Sequence, residues 1–345
     1  MNSSALSQIT LPESPKILMI LMGSLGDVAR GIFLLPPIKS RYPGARVTWV
    51  VEPKCEPFVR LHPLIDEVIV FERGGGASSI AKIFGQLKDV KAVVSLDLQR
   101  HFKSGLFARV AGARYRVGFH RKDSKEFNWA FNNLHIAPEP QDLPKLSHYL
   151  KFLNILGIER VDQLRSGLEE LDLSKFWPER VESNLKNYVV VVLGSSWHSK
   201  DWLASGYHDL IRELLSRQGR TVILVGDNNH QTVALSLMQQ LRSERIIDLT
   251  GKTTLPQLVA IMRGCSFMVG PDSGPAHIAG ALGVPHITLF GPTSPARTAP
   301  LGSLKLVVQS PVGCSPCYKK RCPGLNKICM RLISAQQVLA KAEGL

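Results

Sequence analysis

The chain has no long hydrophobic run. Hydrophobic residues make up 44% of its 345 residues, yet no segment approaches the roughly 20 consecutive apolar residues of a membrane-spanning helix. The first 15 residues are polar and lack the basic start and apolar centre of a signal peptide. We therefore predict a globular cytoplasmic protein that is large enough for two domains.

The sequence also lacks a dinucleotide-binding fingerprint. The turn after the first predicted strand, Gly-Ser-Leu-Gly-Asp at residues 23–27, has neither the G-x-G-x-x-G pattern nor the glycine-lysine pair of a Walker loop. Its acid, Asp27, would repel a phosphate, which argues against cofactor binding at this turn. A dehydrogenase is disfavoured because neither half of the chain has a dinucleotide fingerprint. A catalytic carboxylate is one interpretation of Asp27, and a helix cap is the other.

Acidic residues are missing from two segments of a chain whose formal net charge is +14. Residues 100–122 carry seven basic residues and residues 311–331 carry five, with no acid in either segment. This charge predicts an anionic partner: nucleic acid, a phosphorylated small molecule or an acidic membrane surface. Neither segment has the regular aromatic residues of a single-stranded nucleic-acid platform. A solvated basic face is the alternative.

Cysteine is scarce outside one short segment. Cys55 and Cys265 lie in apolar surroundings and are predicted to be core residues. The other four have the spacing C-x2-C-x4-C-x6-C and are Cys314, Cys317, Cys322 and Cys329. This pattern leaves reduced thiols, a disulfide clasp and a structural metal open, although it does not match a standard zinc ribbon.

Strand and helix signals alternate in two successive blocks. Short β-branched runs predict buried parallel strands at 16–21, 47–51, 68–71, 92–96, 188–193, 221–226, 246–249, 267–269, 286–290 and 305–308. Helices are predicted at 28–41, 147–156, 206–218, 231–243, 255–263 and 278–283. A polar linker at 169–187 separates the blocks. The pattern predicts an α/β protein with two Rossmann-like domains, residues 15–175 and 186–345, that face each other across a cleft.

The most informative motif is Gly-Pro-Asp-Ser-Gly-Pro-Ala-His at residues 270–277, between a predicted strand and a helix of small residues. The carboxyl ends of parallel strands are where open α/β sheets bind ligands. The helix N-terminus favours an anion, and Asp272 and Ser273 add an acceptor and a donor. A plain helix cap would use the same residues.

Three further loops follow strands of the second block. Ser195, Ser196 and Lys200 could hold a diphosphate, although Lys200 could equally be a surface residue. Asp227 could accept from a ribose hydroxyl or could simply form a turn. Thr253 lies in a loop that could shape a base pocket. All of these loops are expected at one edge of the predicted sheet.

The motifs together resemble those of the family 9 glycosyltransferases, the bacterial ADP-heptose:lipopolysaccharide heptosyltransferases. The resemblance runs over roughly residues 16–339, and its cysteine segment is most similar to the heptosyltransferase II branch. It rests on Gly-Asp at 26–27, Asp-Leu-Gln at 97–99, Gly-Ala-Arg at 112–114, Val-Gly-Phe at 117–119, His-Tyr-Leu at 148–150, Lys-Asp-Trp at 200–202, Leu-Thr-Gly-Lys-Thr at 249–253, residues 272–277, Phe-Gly-Pro-Thr at 290–293 and Cys-Ser-Pro-Cys at 314–317.

The resemblance implies a GT-B fold with an acceptor-binding first domain and a nucleotide-sugar-binding second domain. It implies that Asp27 is the general base of an inverting transfer and that Lys200, with Ser195 and Ser196, binds the donor diphosphate. It assigns the phosphate and the transferred sugar to Asp272, Ser273, Gly274 and His277. The sequence departs from the family at Ser-Ser-Trp-His (195–198) and at Asp201, which bears on the donor preference and not on the fold.

The partners that the resemblance implies are ADP-heptose as a substrate and an inner-core lipopolysaccharide acceptor, Kdo-lipid A or Hep-Kdo-lipid A. Arg100, Lys103 and Arg121 are expected to bind the acceptor's anionic groups at the inner face of the inner membrane. No cofactor, metal or nucleic acid is expected. The alternatives are a nucleotide-sugar epimerase of the same layout and a non-catalytic nucleotide or nucleic-acid binder.

Overall fold

The computed structural model describes residues 9–138, 140, 142–182, 185–216 and 220–345. The chain divides into two compact units, Met1–Leu171 and Asp172–Leu345. Parts of three predicted segments lie outside the described residues: residues 1–8 of the polar N-terminus, 183–184 of the linker and 217–218 of a helix. No helix in the described part of the chain is long and apolar enough to cross a membrane.

The first unit is built on a six-stranded parallel sheet of order β3-β2-β1-β4-β5-β6. The strands are β1 (Lys16–Ile20), β2 (Arg46–Val51), β3 (Glu67–Val70), β4 (Val94–Asp97), β5 (Tyr115–Gly118) and β6 (Leu134–His135). The helices are α1 (Leu25–Gly31), α2 (Leu35–Arg41), α3 (Glu56–Val59), α4 (Gly76–Asp89), α5 (Phe102–Val110) and α6 (Lys145–Ile155).

The second unit has a parallel sheet of order β12-β11-β10-β7-β8-β9. The strands are β7 (Tyr188–Val192), β8 (Thr221–Val225), β9 (Ile246–Asp248), β10 (Phe267–Pro271), β11 (His286–Phe290) and β12 (Val307–Gln309). The helices are α7 (Ala204–Ser216), α8 (Gln231–Leu241), α9 (Leu255–Gly264), α10 (Gly274–Leu282), α11 (Pro295–Thr298), α12 (Ile328–Arg331) and α13 (Ala335–Ala342).

The sequence explains why the central strands are strands. Every residue of β7, β10 and β11 is buried, as expected for β-branched and apolar runs in a parallel sheet that has helices on both faces. The helices bury one side against these strands; α7, for example, buries Tyr207, Leu210, Ile211, Leu214 and Leu215. The α/β prediction is confirmed by the two parallel sheets.

Two details of the sequence prediction are wrong. The single helix expected at 28–41 is interrupted: α1 begins at Leu25, a 3-10 turn covers Ile32–Leu34, and α2 carries its prolines in its first turn, where a missing N–H costs no hydrogen bond. Strands β5 and β6 were not expected, because β5 interrupts its apolar residues with Arg116 and ends in Gly118, and β6 has only two residues, so neither forms an apolar run.

One glycine of the second sheet is required by close packing. A Cβ on Gly270, in β10, would lie 2.6 Å from the Val192 Cβ and 3.1 Å from the Val192 carbonyl oxygen of β7. We expect Gly270→Ala to lower the free energy of unfolding by about 1–3 kcal/mol, because neither neighbour is the end of a flexible side chain.

The matched control is Gly85→Ala in α4, where a Cβ would have no described neighbour within 4 Å. This substitution should raise the free energy of unfolding by about 0.5–1 kcal/mol, since alanine favours a helix interior. Urea unfolding of both variants measures the two values. If both substitutions changed the free energy of unfolding by the same amount and in the same direction, the contact of Gly270 with β7 would not determine the stability at this position.

Candidate active site

The second unit places its motifs around a topological switch point. Strands β7 and β10 are neighbours, and the chain proceeds outward from β7 to β8 and β9 on one side and from β10 to β11 and β12 on the other. In such sheets the loops after the two central strands diverge and leave a crevice at their carboxyl ends. The loop after β7 carries Lys200 and the loop after β10 carries Asp272.

Lys200 and Asp272 form a direct ion pair in this position. The Lys200 Nζ donates to the Asp272 carboxylate at 2.8 Å and to the Asp272 carbonyl at 3.0 Å. The lysine side chain is only 13% exposed, and its Nζ lies 4.7 Å from the centre of the Trp197 ring. The alternative that Lys200 is an ordinary surface lysine is therefore wrong.

Asp272 is the centre of a buried network. The hydroxyls of Thr293 and Thr298 donate to the carboxylate oxygen that also accepts from Lys200, at 2.7 and 3.1 Å. The His277 Nε2 is 3.5 Å from the other carboxylate oxygen. Burial alone would raise the pKa of Asp272, but the hydrogen bond from His277 and the charge of Lys200 outweigh it and hold the pKa far below its ordinary value. The carboxyl is therefore ionised at neutral pH.

The N-terminus of α10 has the features of an anion site. Ser273 is the N-cap residue, but its side chain makes no capping hydrogen bond, so the plain-cap alternative is wrong. Its hydroxyl oxygen is buried and has no hydrogen-bond partner within the described part of the chain. Gly274 begins the helix, and Pro275 follows in the first turn. Exposed backbone N–H groups and the helix dipole favour a negative charge here.

The serines after β7 have different roles. The Ser195 hydroxyl donates to the Trp197 carbonyl and accepts from the Trp197 N–H, both at 3.0 Å. The Asp201 carboxylate accepts from the Ser195 N–H at 2.9 Å. Ser195 and Asp201 thus fix the shape of the loop, whereas Ser196 is exposed at its surface.

Asp227 and Thr253 lie at the same sheet edge. Asp227 follows β8, caps a short 3-10 helix by accepting from the Asn229 N–H, and keeps 54% of its side chain exposed. Thr253 is half-buried in the loop between β9 and α9. The structure therefore places the predicted loops at one edge and joins Lys200, Asp272 and His277 directly.

The segment that contains the four clustered cysteines, residues 314–331 (the cysteine segment), supports the Lys200 loop. Ser199 donates from its hydroxyl to the Lys319 carbonyl at 2.6 Å and from its N–H to the Lys320 carbonyl at 3.1 Å. The Lys327 ammonium donates to the Asp201 carbonyl at 3.2 Å. The segment therefore fixes the backbone on both sides of Lys200.

The six cysteines are all free thiols in the structure. Cys55 and Cys265 are core residues as predicted, and burial raises the pKa of their thiols to about 11 and about 12. The four cysteines of the cysteine segment line one cavity of about 110 Å³. Among the residues that the structure describes, no three His, Cys, Asp or Glu side chains are arranged to hold a metal ion.

The first unit has a comparable switch point between β1 and β4. Asp27 lies in the first turn of α1, directly after β1, while Ser24 occupies the N-cap position; the interpretation of Asp27 as a helix cap is wrong. One Asp27 carboxylate oxygen accepts from Arg30 at 2.9 Å and from Lys145 at 3.0 Å. The Ser24 hydroxyl donates to the other oxygen at 3.2 Å. The carboxylate is thus held in place by two cations and a hydroxyl.

The loop after β4 completes this edge of the first sheet. The Gln99 side chain accepts from the Met22 N–H at 2.9 Å and so joins the ends of β1 and β4. Arg100 stacks on the Phe119 ring at 4.0 Å and lies 3.1 Å from the His148 Nδ1. Burial, and then the Asp27 charge, raise the pKa of Tyr149, so this phenol stays protonated beside the carboxylate.

The other two predicted acceptor residues are exposed cations of the first unit. Lys103 lies 5.6 Å from the Phe71 ring centre and Arg121 5.0 Å from that of Trp129. Sequence reasoning missed the neighbours Arg30, Lys145, Gln99, Thr293 and Thr298. Gln99 and Thr293 stand inside motifs that carry the family resemblance, whereas Arg30, Lys145 and Thr298 have no sequence signal.

The family model of glycosyltransferase family 9 (heptosyltransferase) matches residues 80–328, most of the chain. The protein belongs to this family. It is accordingly a glycosyltransferase, and the predicted GT-B fold is confirmed. The structure resembles Escherichia coli heptosyltransferase WaaC solved with ADP, with a TM-score of 0.77 at 22% identity over 95% of this chain and 99% of that one.

Curated relatives agree with the family model. The lipopolysaccharide core heptosyltransferase OpsX of Haemophilus influenzae is 27% identical over 86% of this chain and 85% of its own length. The lipopolysaccharide heptosyltransferase 2 of Escherichia coli is 26% identical over 85% of this chain and 88% of its own length.

Proposed function

We propose that the protein transfers a heptose from ADP-heptose to the inner core of lipopolysaccharide with inversion at the anomeric carbon, in the manner of heptosyltransferase II. The observation that carries the proposal is the Lys200–Asp272 ion pair at the switch point of a family 9 chain. The relatives support the substrates: their names specify lipopolysaccharide heptosyltransferases, and WaaC was solved with ADP.

The second unit would bind the donor. The Lys200 ammonium carries three N–H donors, and two of them point to Asp272; the third can donate to the diphosphate. The Ser273 hydroxyl and the N–H of Gly274 would bind the same group at the N-terminus of α10. We propose that Asp272 and His277 act by fixing these groups, that Ser195 and Ser196 shape and line the loop, and that Asp227 and Thr253 contact the nucleoside.

The first unit would bind the acceptor and supply the base. In a direct displacement, the acceptor hydroxyl loses a proton while the diphosphate leaves with the electron pair of the broken C–O bond. Asp27 would take this proton. Arg100, Lys103 and Arg121 would attract the Kdo carboxylates and phosphates of the acceptor. We propose that no metal or other cofactor takes part, since Lys200 and the helix N-terminus can receive the negative charge.

A place in the cell follows from these substrates. The protein would be cytoplasmic and would act at the inner face of the inner membrane, where the glycolipid acceptor is anchored. The exposed cations of the first unit suit an anionic surface.

The epimerase alternative has weaker support. The UDP-GlcNAc 2-epimerase of Methanocaldococcus jannaschii has a TM-score of 0.51 at 15% identity, well below the 0.77 of WaaC. A non-catalytic nucleotide binder would not require the Asp27 carboxylate to be held by two cations.

The test is mass spectrometry of the purified protein with ADP-heptose and either Kdo-lipid A or Hep-Kdo-lipid A. We expect one acceptor to gain a single heptose and ADP to be released in equal amount. Isomerised ADP-sugar without an acceptor would identify an epimerase. Binding of ADP-heptose with no product from either acceptor would contradict the proposal.

A further inference from the structure

A turn in the first unit presents an exposed aromatic ring among cations. This turn, residues 120–128, is called the Phe127 turn below. The Phe127 side chain is 75% exposed, and Phe102, at the start of α5, is 45% exposed. Isolated exposed apolar residues are common on protein surfaces, but two exposed phenylalanines on segments that share a hydrogen bond are a reason to look for a partner.

The turn holds Phe127 outward at a conformational cost. Glu126 and Phe127 are consecutive residues with left-handed backbones, at φ 51° and 55°. Residues with a Cβ adopt this conformation rarely, and such strain persists only where the surroundings impose it. The exposed position of Phe127 is therefore imposed by the fold.

Hydrogen bonds on both sides of the turn hold its backbone in this conformation. The Lys125 N–H donates to the Arg100 carbonyl, and the Asn128 N–H donates to the Lys125 carbonyl, both at 2.9 Å. Asn128 itself is fully buried and donates to the buried carboxylate of Asp97 at 2.5 Å. The Glu126 carboxylate accepts from the Phe102 N–H at 3.1 Å, which joins the start of α5 to the residue before Phe127.

The charge around the patch is positive. Lys103, Arg121, Lys122 and Lys125 are exposed on the turn or beside it. Of the two acids in the turn, Asp123 is buried. Glu126 is 59% exposed, but these four cations outnumber it, and its carboxylate also accepts from the Phe102 N–H and lies 3.3 Å from the His101 ring. An aromatic ring surrounded by cations matches the boundary of a bilayer with anionic lipids, where the ring enters the headgroup region and the cations meet phosphates.

The position of the patch fits the acceptor site. The Phe127 turn is bonded to the loop after β4, and β4 neighbours β1, which leads to Asp27. We propose that Phe127 and Phe102, with Lys122 and Lys125, form the surface by which the protein docks on an anionic bilayer. This inference rests on the proposed function, because only a membrane-anchored acceptor requires the enzyme to work at a bilayer.

The experiment is flotation of the full chain with vesicles of phosphatidylethanolamine and phosphatidylglycerol, compared with vesicles of phosphatidylcholine alone. We expect binding to the anionic vesicles only, weakened by salt. Phe127→Ser should lower the partition coefficient about tenfold, and Lys122→Gln with Lys125→Gln should lower it by at least that factor.

The control is Leu235→Ser. Leu235 is 57% exposed on α8, a helix of the second unit without charged residues, and its loss should leave vesicle binding unchanged. Transfer of heptose to a water-soluble inner-core oligosaccharide should proceed with the same kcat/KM in the wild type and in Phe127→Ser, which shows that the variant is folded.

Each contrary result has a distinct meaning. A wild type that modifies the soluble oligosaccharide but ignores anionic vesicles would overturn the docking surface and leave the proposed function standing. The docking surface would also be overturned if Phe127→Ser bound anionic vesicles as well as the wild type does. The same holds if the substitution changed only the self-association of the protein. Failure to modify any acceptor would instead count against the proposed function.

Discussion

Asp27→Asn is expected to lower kcat by about 10² to 10⁴, the usual contribution of a general base. The amide keeps the shape of the side chain and can still accept from Arg30, which donates to Asp27 at 2.9 Å, but it cannot take a proton at neutral pH. The KM for ADP-heptose should change little, because Asp27 would act on the acceptor. Steady-state release of ADP measures both constants.

The control for this variant is Glu56→Gln. Glu56 is a carboxylate of the same unit that pairs with Arg60 on the surface at 2.7 Å, and its neutralisation should leave kcat within twofold. Calorimetric binding of ADP-heptose by Asp27→Asn checks that the donor site is intact. Turnover close to that of the wild type would remove Asp27 from the mechanism.

Lys200→Met should lower kcat/KM for ADP-heptose by about 10² to 10³, the effect of removing one group that stabilises developing charge. The charge that balances the diphosphate is lost both in the bound donor and in the transition state, so KM should rise and kcat should fall. Methionine keeps a side chain of similar length beside Trp197 but removes the ammonium that lies 4.7 Å from the ring centre. Initial rates over a range of ADP-heptose concentrations separate the two effects.

Lys341→Met is the matched control, because Lys341 is an exposed lysine of the same unit that donates only a surface hydrogen bond, to the Lys305 carbonyl at 2.9 Å, among the contacts described. Its kinetics should equal those of the wild type. If Lys200→Met kept native values as well, the switch-point pair would have no part in donor binding.

Asp272→Asn tests whether the ion pair positions Lys200. The pKa of Asp272 is depressed in the folded state, so its ionised form adds stability at every pH above the unfolded value of about 4. That contribution is lost progressively as the pH falls below the unfolded value and through the lower folded value. The stability difference between the wild type and Asp272→Asn should therefore not shrink between pH 8 and pH 5, while the KM of the variant for the donor rises.

The second sheet shows what a sequence reveals well. Buried β-branched runs marked its strands, and polar loops after them marked one edge, because parallel strands bring their carboxyl ends together. What escaped prediction is the set of contacts made by chemically ordinary residues. Thr298 lies 26 residues from Asp272, and Lys145 lies 118 residues from Asp27; nothing in the identity of a threonine or a lysine indicates such a partner.

The predicted role of Asp272 also shows a limit of motif reasoning. A motif indicates that the carboxylate is needed, but not whether it contacts the ligand. In the structure it is 4% exposed and accepts from Lys200 and two threonines, which suits a positioning residue better than a ligand contact. Burial, which decides between these roles, depends on α11 and on the loop after β11.

The support that the cysteine segment gives to the Lys200 loop has a consequence for synthesis of the protein. Ser199 bonds to a carbonyl 120 residues later, and the Trp202 ring N–H bonds to the Ile333 carbonyl 131 residues later. A nascent chain that has emerged only as far as β12 already contains every strand of the described structure, yet its Lys200 loop lacks the hydrogen bonds that Ser199, Asp201 and Trp202 make to later residues. Translation must therefore pass residue 333 before the Lys200 loop can form all of these hydrogen bonds.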